Sequence, residues 1–161
     1  GQKQMKALRT LPKMLRLIPG KAQDLRAWFL SMQYWLGGSD DNIEQMVRFL
    51  LSRYADRRDW HGVRSRAPVE YPDLGLYHPS LPGHHITTDL AALPAPAAPV
   101  ATVGLLMLRS YILASDTAHY DAVIAAFEAR GLRVIPAFAG GLDGRPAIET
   151  WFQGRVDALV S

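Results

Sequence analysis

The feature that most constrains the fold is an alternation of apolar strands and amphipathic helices joined by short turns. "VATVGLLML" at 100–108 is a continuous apolar run, the pattern of a strand covered on both faces. A helix over about 117–129 follows, with Tyr120, Val123, Ile124 and Phe127 as its inner stripe, Ser115 or Asp116 as its cap and Gly131 as its stop. "RVIPAF" at 133–138 is a second strand, and its Pro136 predicts that the strand is short or near a sheet edge. "RPAIETWF" gives a brief helix and "VDALV" a third strand. The order β-α-β-α-β with short joints argues for a parallel sheet with right-handed crossovers. Three strands are few for an open sheet, so the chain reads as a piece of a longer protein.

The 161 residues divide by composition. Residues 1–57 read as a helical segment. Within 24–36, Leu25, Trp28, Phe29, Met32, Trp35 and Leu36 recur at helical spacing, and core packing is the expected use of that stripe. Gly37-Gly38 ends the helix, because glycine accepts the left-handed conformation there. Ser39 caps a second helix with Asp40 and Asp41 in its first turn. The short joint predicts an antiparallel hairpin. Prolines at 68, 72, 79, 82, 94, 96 and 99 mark 58–99 as a Pro-rich extended connector. Residues 100–161 are expected to be the first half of an α/β domain that continues beyond this sequence. The predicted fold class is therefore α/β: a helical segment, a connector, and an incomplete three-strand parallel β-α-β-α-β of the Rossmann or flavodoxin type.

Composition excludes several chemistries. There is no cysteine, hence no disulfide and no thiolate metal site. No apolar run reaches the eighteen or so residues that suggest a membrane span. The beginning is a poor signal peptide, and the reading is cytoplasmic, or peripheral to a membrane. Lys3, Lys6, Arg9, Lys13, Arg16 and Lys21 all precede the first acid, Asp24. Without interleaved aromatic residues this reads as a solvated basic face and not as a nucleic-acid surface. Histidines stand at 61, 78, 84, 85 and 119, with no pair at zinc-protease spacing, so no metal site is expected.

In open parallel sheets ligands lie beyond the carboxyl ends of the strands. That edge is expected to carry Arg109, Ser110 and Tyr111 after the first strand and Gly140, Gly141 and Asp143 after the second. The helix that contains His119 points its positive end the same way. Gly140-Gly141 is not a dinucleotide fingerprint, and no phosphate loop exists. The residues alone leave two readings open: a small-anion-binding module built on Arg109, and a scaffold that docks partner subunits.

"YPDLGLYHPSLPG" at 71–83, the Arg109-Ser110 pair followed by His119-Tyr120, and "PAFAGGLD" at 136–143 occur together and in order. With the helical stretch before them they resemble the large, porphyrin-binding subunit of the magnesium chelatases and, more distantly, of the cobaltochelatases. The alanine- and arginine-rich usage resembles the bacterial, bacteriochlorophyll branch. The resemblance implies an amino-proximal part of a subunit several times longer. It implies Mg2+ and protoporphyrin IX as substrates, and as partners the rest of the large subunit and two smaller subunits, one an ATPase motor that uses the ATP. No cofactor is expected on this part alone, and no catalytic residue carries over. Arg109, Tyr111, His119, His78, Gly140 and Gly141 are the candidates for contact with a macrocycle and its carboxylates.

Overall fold

The computed structural model describes residues 10, 20–56, 60 and 62–161. The basic positions 3–9 and 13–16 and His61 lie outside the described residues. The chain forms two compact units, divided between Tyr71 and Pro72.

The first unit contains a helical hairpin, α1 (Ala22–Gly37) and α2 (Asp40–Tyr54). Gly38 turns the chain at φ 65°, and the Ser39 hydroxyl accepts the Asn42 N–H, as the cap pattern predicts. Asp24 at the start of α1 meets Arg53 at 3.4 Å and the Tyr54 hydroxyl at 3.2 Å, which brings the far ends of the hairpin together. Among the described residues the predicted core stripe is largely exposed, with only Phe29 and Met32 half-buried. Trp28 is 55% exposed and Trp35 61%, and Leu25 and Leu36 are also exposed, while Ala27 and Tyr34 are buried. Helical spacing fixes which residues share a face, not what lies against that face.

Buried polar groups do part of this unit's packing instead. The Asn42 amide donates to the Val69 carbonyl at 2.9 Å and accepts the Val69 N–H at 2.8 Å. Gln45 accepts the Arg66 N–H at 2.9 Å, and the Tyr34 hydroxyl donates to the Arg66 carbonyl. One face of the hairpin thus holds 66–69 as a strand partner would.

The second unit is a five-stranded mixed sheet. Its strands are β1 (Leu74–Tyr77), β2 (Ile86–Thr87), β3 (Thr102–Leu108), β4 (Arg133–Ala139) and β5 (Ala158–Val160), in the order β2-β1-β4-β3-β5. β3, β4 and β5 are the three predicted parallel strands. β1 runs antiparallel to both β4 and β2, so part of the supposed connector belongs to the sheet. β4 is consequently central, which corrects the edge position read from Pro136. The β1–β4 register stops at Leu76 with Ala137, so Pro136 has a registered partner, Leu105, on one side only. A missing N–H is tolerable where the second ladder has ended.

Strand alternation sends side chains to two faces. Tyr77, Leu105, Met107, Val134 and Phe138 pack on one face with Ile124 of α4 (Ala118–Glu128) and with Ile112, which lies in the short helix α3 (Arg109–Leu113). Leu76, Ile135, Ala137 and Ala139 pack on the other, under Ala147, Trp151 and Phe152. Those three come from a helical turn, α5 (Arg145–Ala147), that widens into a π turn over Ile148–Phe152. The residue before α4 is Thr117, which corrects the predicted cap; neither Ser115 nor Asp116 takes that place. Gly75 is required where it stands, because a Cβ there would lie 2.5 Å from the Phe138 ring. No described helix is long and apolar enough to cross a membrane.

Candidate functional site

Leu108 and Ala139 lie side by side at the carboxyl ends of β3 and β4. The turns that leave them form the expected edge. After β4, Gly140 passes close to Asp73, and Gly141 takes the left-handed φ of 79°. Leu142 is then 96% exposed. Asp143 closes the turn through Arg145, whose Nε and Nη2 donate at 2.8 and 2.9 Å. The Arg145 side chain and backbone N–H together hold the Asp143 carboxyl down at about 2.

After β3, Tyr111 and His119 meet edge to face at 5.1 Å, and His119 lies 4.0 Å from the Tyr120 ring. The Tyr120 hydroxyl accepts the Leu108 N–H at 3.1 Å, which fixes this aromatic group to the strand end. Tyr111 and His119 are exposed. With exposed Leu108 at the end of β3 and exposed Leu142 in the turn after β4, this sheet edge carries apolar and aromatic side chains along its rim.

Arg109 stands at this edge but faces inward. Its Nε donates to the Pro72 carbonyl at 2.8 Å and its Nη2 lies 3.7 Å from Asp73. Burial lowers its pKa from the ordinary value, and Asp73 works in the opposite direction. A fork already turned to its own chain argues against the small-anion reading. Asp121, in the first turn of α4, places a negative charge where that reading needs a positive field.

His78 is elsewhere. It is buried, with Nε2 3.0 Å from Glu128 and Nδ1 2.7 Å from the Ser80 hydroxyl. Its partner Glu128 and His119 stand at opposite ends of α4, roughly 13 Å apart along the helix axis. The structure therefore brings Tyr111 and His119 together, puts Arg109, Gly140 and Gly141 along the same edge, and leaves His78 out. Sequence reading found no partner for Asp73, which lies beside Arg109 and close to the Gly140 turn. It also missed Tyr77, Thr117 and Asp121; the spacing of Thr117 and Asp121 on one helical face was the available signal. Among the described residues no three potential ligands gather as a metal site.

Comparison with known proteins places the chain in a family. The family model described as CobN/Magnesium Chelatase matches residues 32–161, and a model of a domain of unknown function matches residues 1–29. The magnesium-chelatase H subunit of Rhodobacter capsulatus is 69% identical over 161 residues, covering 100% of this chain and 14% of that protein. The chloroplastic magnesium-chelatase ChlH subunit of Oryza sativa subsp. indica is 40% identical over 154 residues, 86% of this chain and 11% of its own length. Among solved structures, the catalytic subunit of cobaltochelatase from Mycobacterium tuberculosis superposes with a TM-score of 0.55 at 21% identity, covering 83% of this chain and 10% of that one. The last likeness bears on the fold alone. This chain spans about one-seventh of the length of its bacterial relative. On the matched residues and these identities, the chain belongs to the CobN/magnesium chelatase family.

Proposed function

We propose that the chain is a section of a porphyrin-binding large subunit that takes part in inserting Mg2+ into protoporphyrin IX, on the way to bacteriochlorophyll or chlorophyll. The observation that carries this reading is the identity of 69% over the whole chain to a magnesium-chelatase H subunit. The reaction is a ligation that forms nitrogen–metal bonds. ATP is hydrolysed by partner subunits, and the assembly works in the cytoplasm or against a membrane surface. Inserting Mg2+ requires removal of a tightly held hydration shell and of two pyrrole protons.

The rim supports a part in holding the macrocycle. A flat apolar ring is favoured by exposed aromatic faces, and Tyr111, His119, Leu108 and Leu142 present such surface at one edge. Arg109 acts as a positioning residue there, because it ties the Pro72–Asp73 turn to the end of β3.

The test is titration of protoporphyrin IX into the full-length protein, followed by porphyrin fluorescence. Stoichiometric quenching is expected, with weaker binding after Tyr111→Ala or His119→Ala. Absence of binding by the full-length protein overturns the proposal. Unchanged affinity in both variants removes the rim from the porphyrin site and leaves the family reading intact.

A further inference from the structure

A cavity of about 240 Å³ opens beside α4, lined among others by Tyr77, His84, His85, Ser115, Thr117 and Asp121. Its polar groups are tied to one another. The Tyr77 hydroxyl donates to Asp121 Oδ1 at 2.9 Å, the Thr117 hydroxyl donates to Oδ2 at 3.2 Å, and the two hydroxyl oxygens lie 2.9 Å apart. Each carboxylate oxygen keeps a further lone pair. His85 Nδ1 lies 2.6 Å from the Leu81 carbonyl, and a carbonyl only accepts. Nδ1 therefore carries the proton and Nε2 is the lone-pair nitrogen of the neutral ring. The His85 and Tyr77 rings meet edge to face at 6.1 Å.

Two further facts mark the place. His85 (φ 61°) and Ser115 (φ 56°) are the non-glycine residues of positive φ among the described residues, and both line this cavity. Backbone strain of this kind gathers at ligand sites. No lysine or arginine is among the lining residues, and Asp121 is the acidic residue among them, beside His84 and His85.

We propose that this cavity is a binding site for a compact organic cation, a protonated alkylamine such as the end of a lysine side chain. Asp121 supplies the charge, and His85 Nε2 and the Ser115 hydroxyl supply acceptors. The volume suits a four-carbon amine and is below that of common cofactor pockets. The site lies beside the hairpin loop of β1 and β2 and is independent of the porphyrin reading of the rim.

The experiment is a titration of the 161-residue chain with n-butylammonium, read by amide chemical shifts. Saturable shifts at Tyr77, His85, Ser115, Thr117 and Asp121 are expected, with a Kd on the order of 1–10 mM for so small a ligand. n-Butanol, of the same shape without charge, is the control, and MgCl2 is the second probe. Asp121→Asn is expected to weaken amine binding about tenfold or more, through loss of a charge-assisted hydrogen bond. His85→Asn, whose new side chain tolerates positive φ, is expected to weaken it less. The proposal is overturned by no saturable shift, by equal binding of n-butanol, by Mg2+ taking the same residues more tightly, or by unchanged affinity in Asp121→Asn with an otherwise unaltered spectrum.

Discussion

In the helical unit the buried side chains include Ser39, Asn42 and Gln45 beside Ala27 and Tyr34, and large apolar groups face outward. In the sheet unit the order is reversed. Two apolar clusters fill both faces of the sheet, and among its described residues His78 is the buried polar side chain, partnered by Glu128 and Ser80. One unit holds an extended segment with side-chain amides, while the other is held by apolar packing between strands and helices. The contrast shows that a strong apolar period in sequence does not mark the place where stability resides. The tryptophans of α1 carry the strongest such signal and are exposed, whereas Phe138, one aromatic in a short strand, is wholly buried.

The largest effect that tests this contrast is Phe138→Ala. Truncation of a fully buried phenylalanine is expected to cost about 3–5 kcal/mol of sheet stability. Gly75→Ala is expected to cost about 1–3 kcal/mol, since its Cβ overlaps the same ring. The double variant should lose less than the sum, because the new methyl occupies space the ring has left. Urea unfolding followed by residue-resolved hydrogen exchange measures all three, and strict additivity breaks the account.

The next effect belongs to the helical unit. Asn42→Ala leaves the Val69 N–H and carbonyl without their partner, at a cost of about 1–3 kcal/mol. Trp35→Ser, on the exposed stripe, should change stability by no more than about 0.5 kcal/mol. If exchange protection in α1 and α2 falls more for Trp35→Ser than for Asn42→Ala, the assignment of stability to the amide strap fails.

The smallest effect is local to the turn after β4. Asp143 titrates at about 2 against an ordinary value of 3.8. A lowered carboxyl pKa stabilises the folded turn above the ordinary value, and that contribution disappears as pH falls through the lowered one. Carboxyl carbon shifts should show the midpoint near 2, and Arg145→Ala should return it toward 3.8. A midpoint already at the ordinary value in the unaltered chain refutes the pairing.

The legible parts of the fold were those with local signals. β3 and β4 are seven-residue strands in which a single polar residue, Thr102 or Arg133, precedes an apolar run, and Ser39 and Gly131 punctuate helices as their chemistry dictates. β1 was not legible. Its four residues stand between Pro72 and Pro79, too few to show a period against that punctuation. The site was legible to the same degree. Strand ends located Arg109 and Tyr111, but the groups that occupy Arg109 come from Pro72 and Asp73, thirty-six and more positions earlier. Likewise His78 finds Glu128 fifty residues away. Such pairings depend on topology, and nothing in the local residue pattern announces them.

The Asn42 amide has a consequence for which positions tolerate replacement. It reads the main chain of Val69, not its side chain, so any residue with an N–H should serve at 69 and only proline should fail. At position 42 the demand is opposite: one donor and one acceptor, set a fixed distance apart on a short stem. Variation can collect on the segment that is held, while the residue that holds it has almost no alternatives.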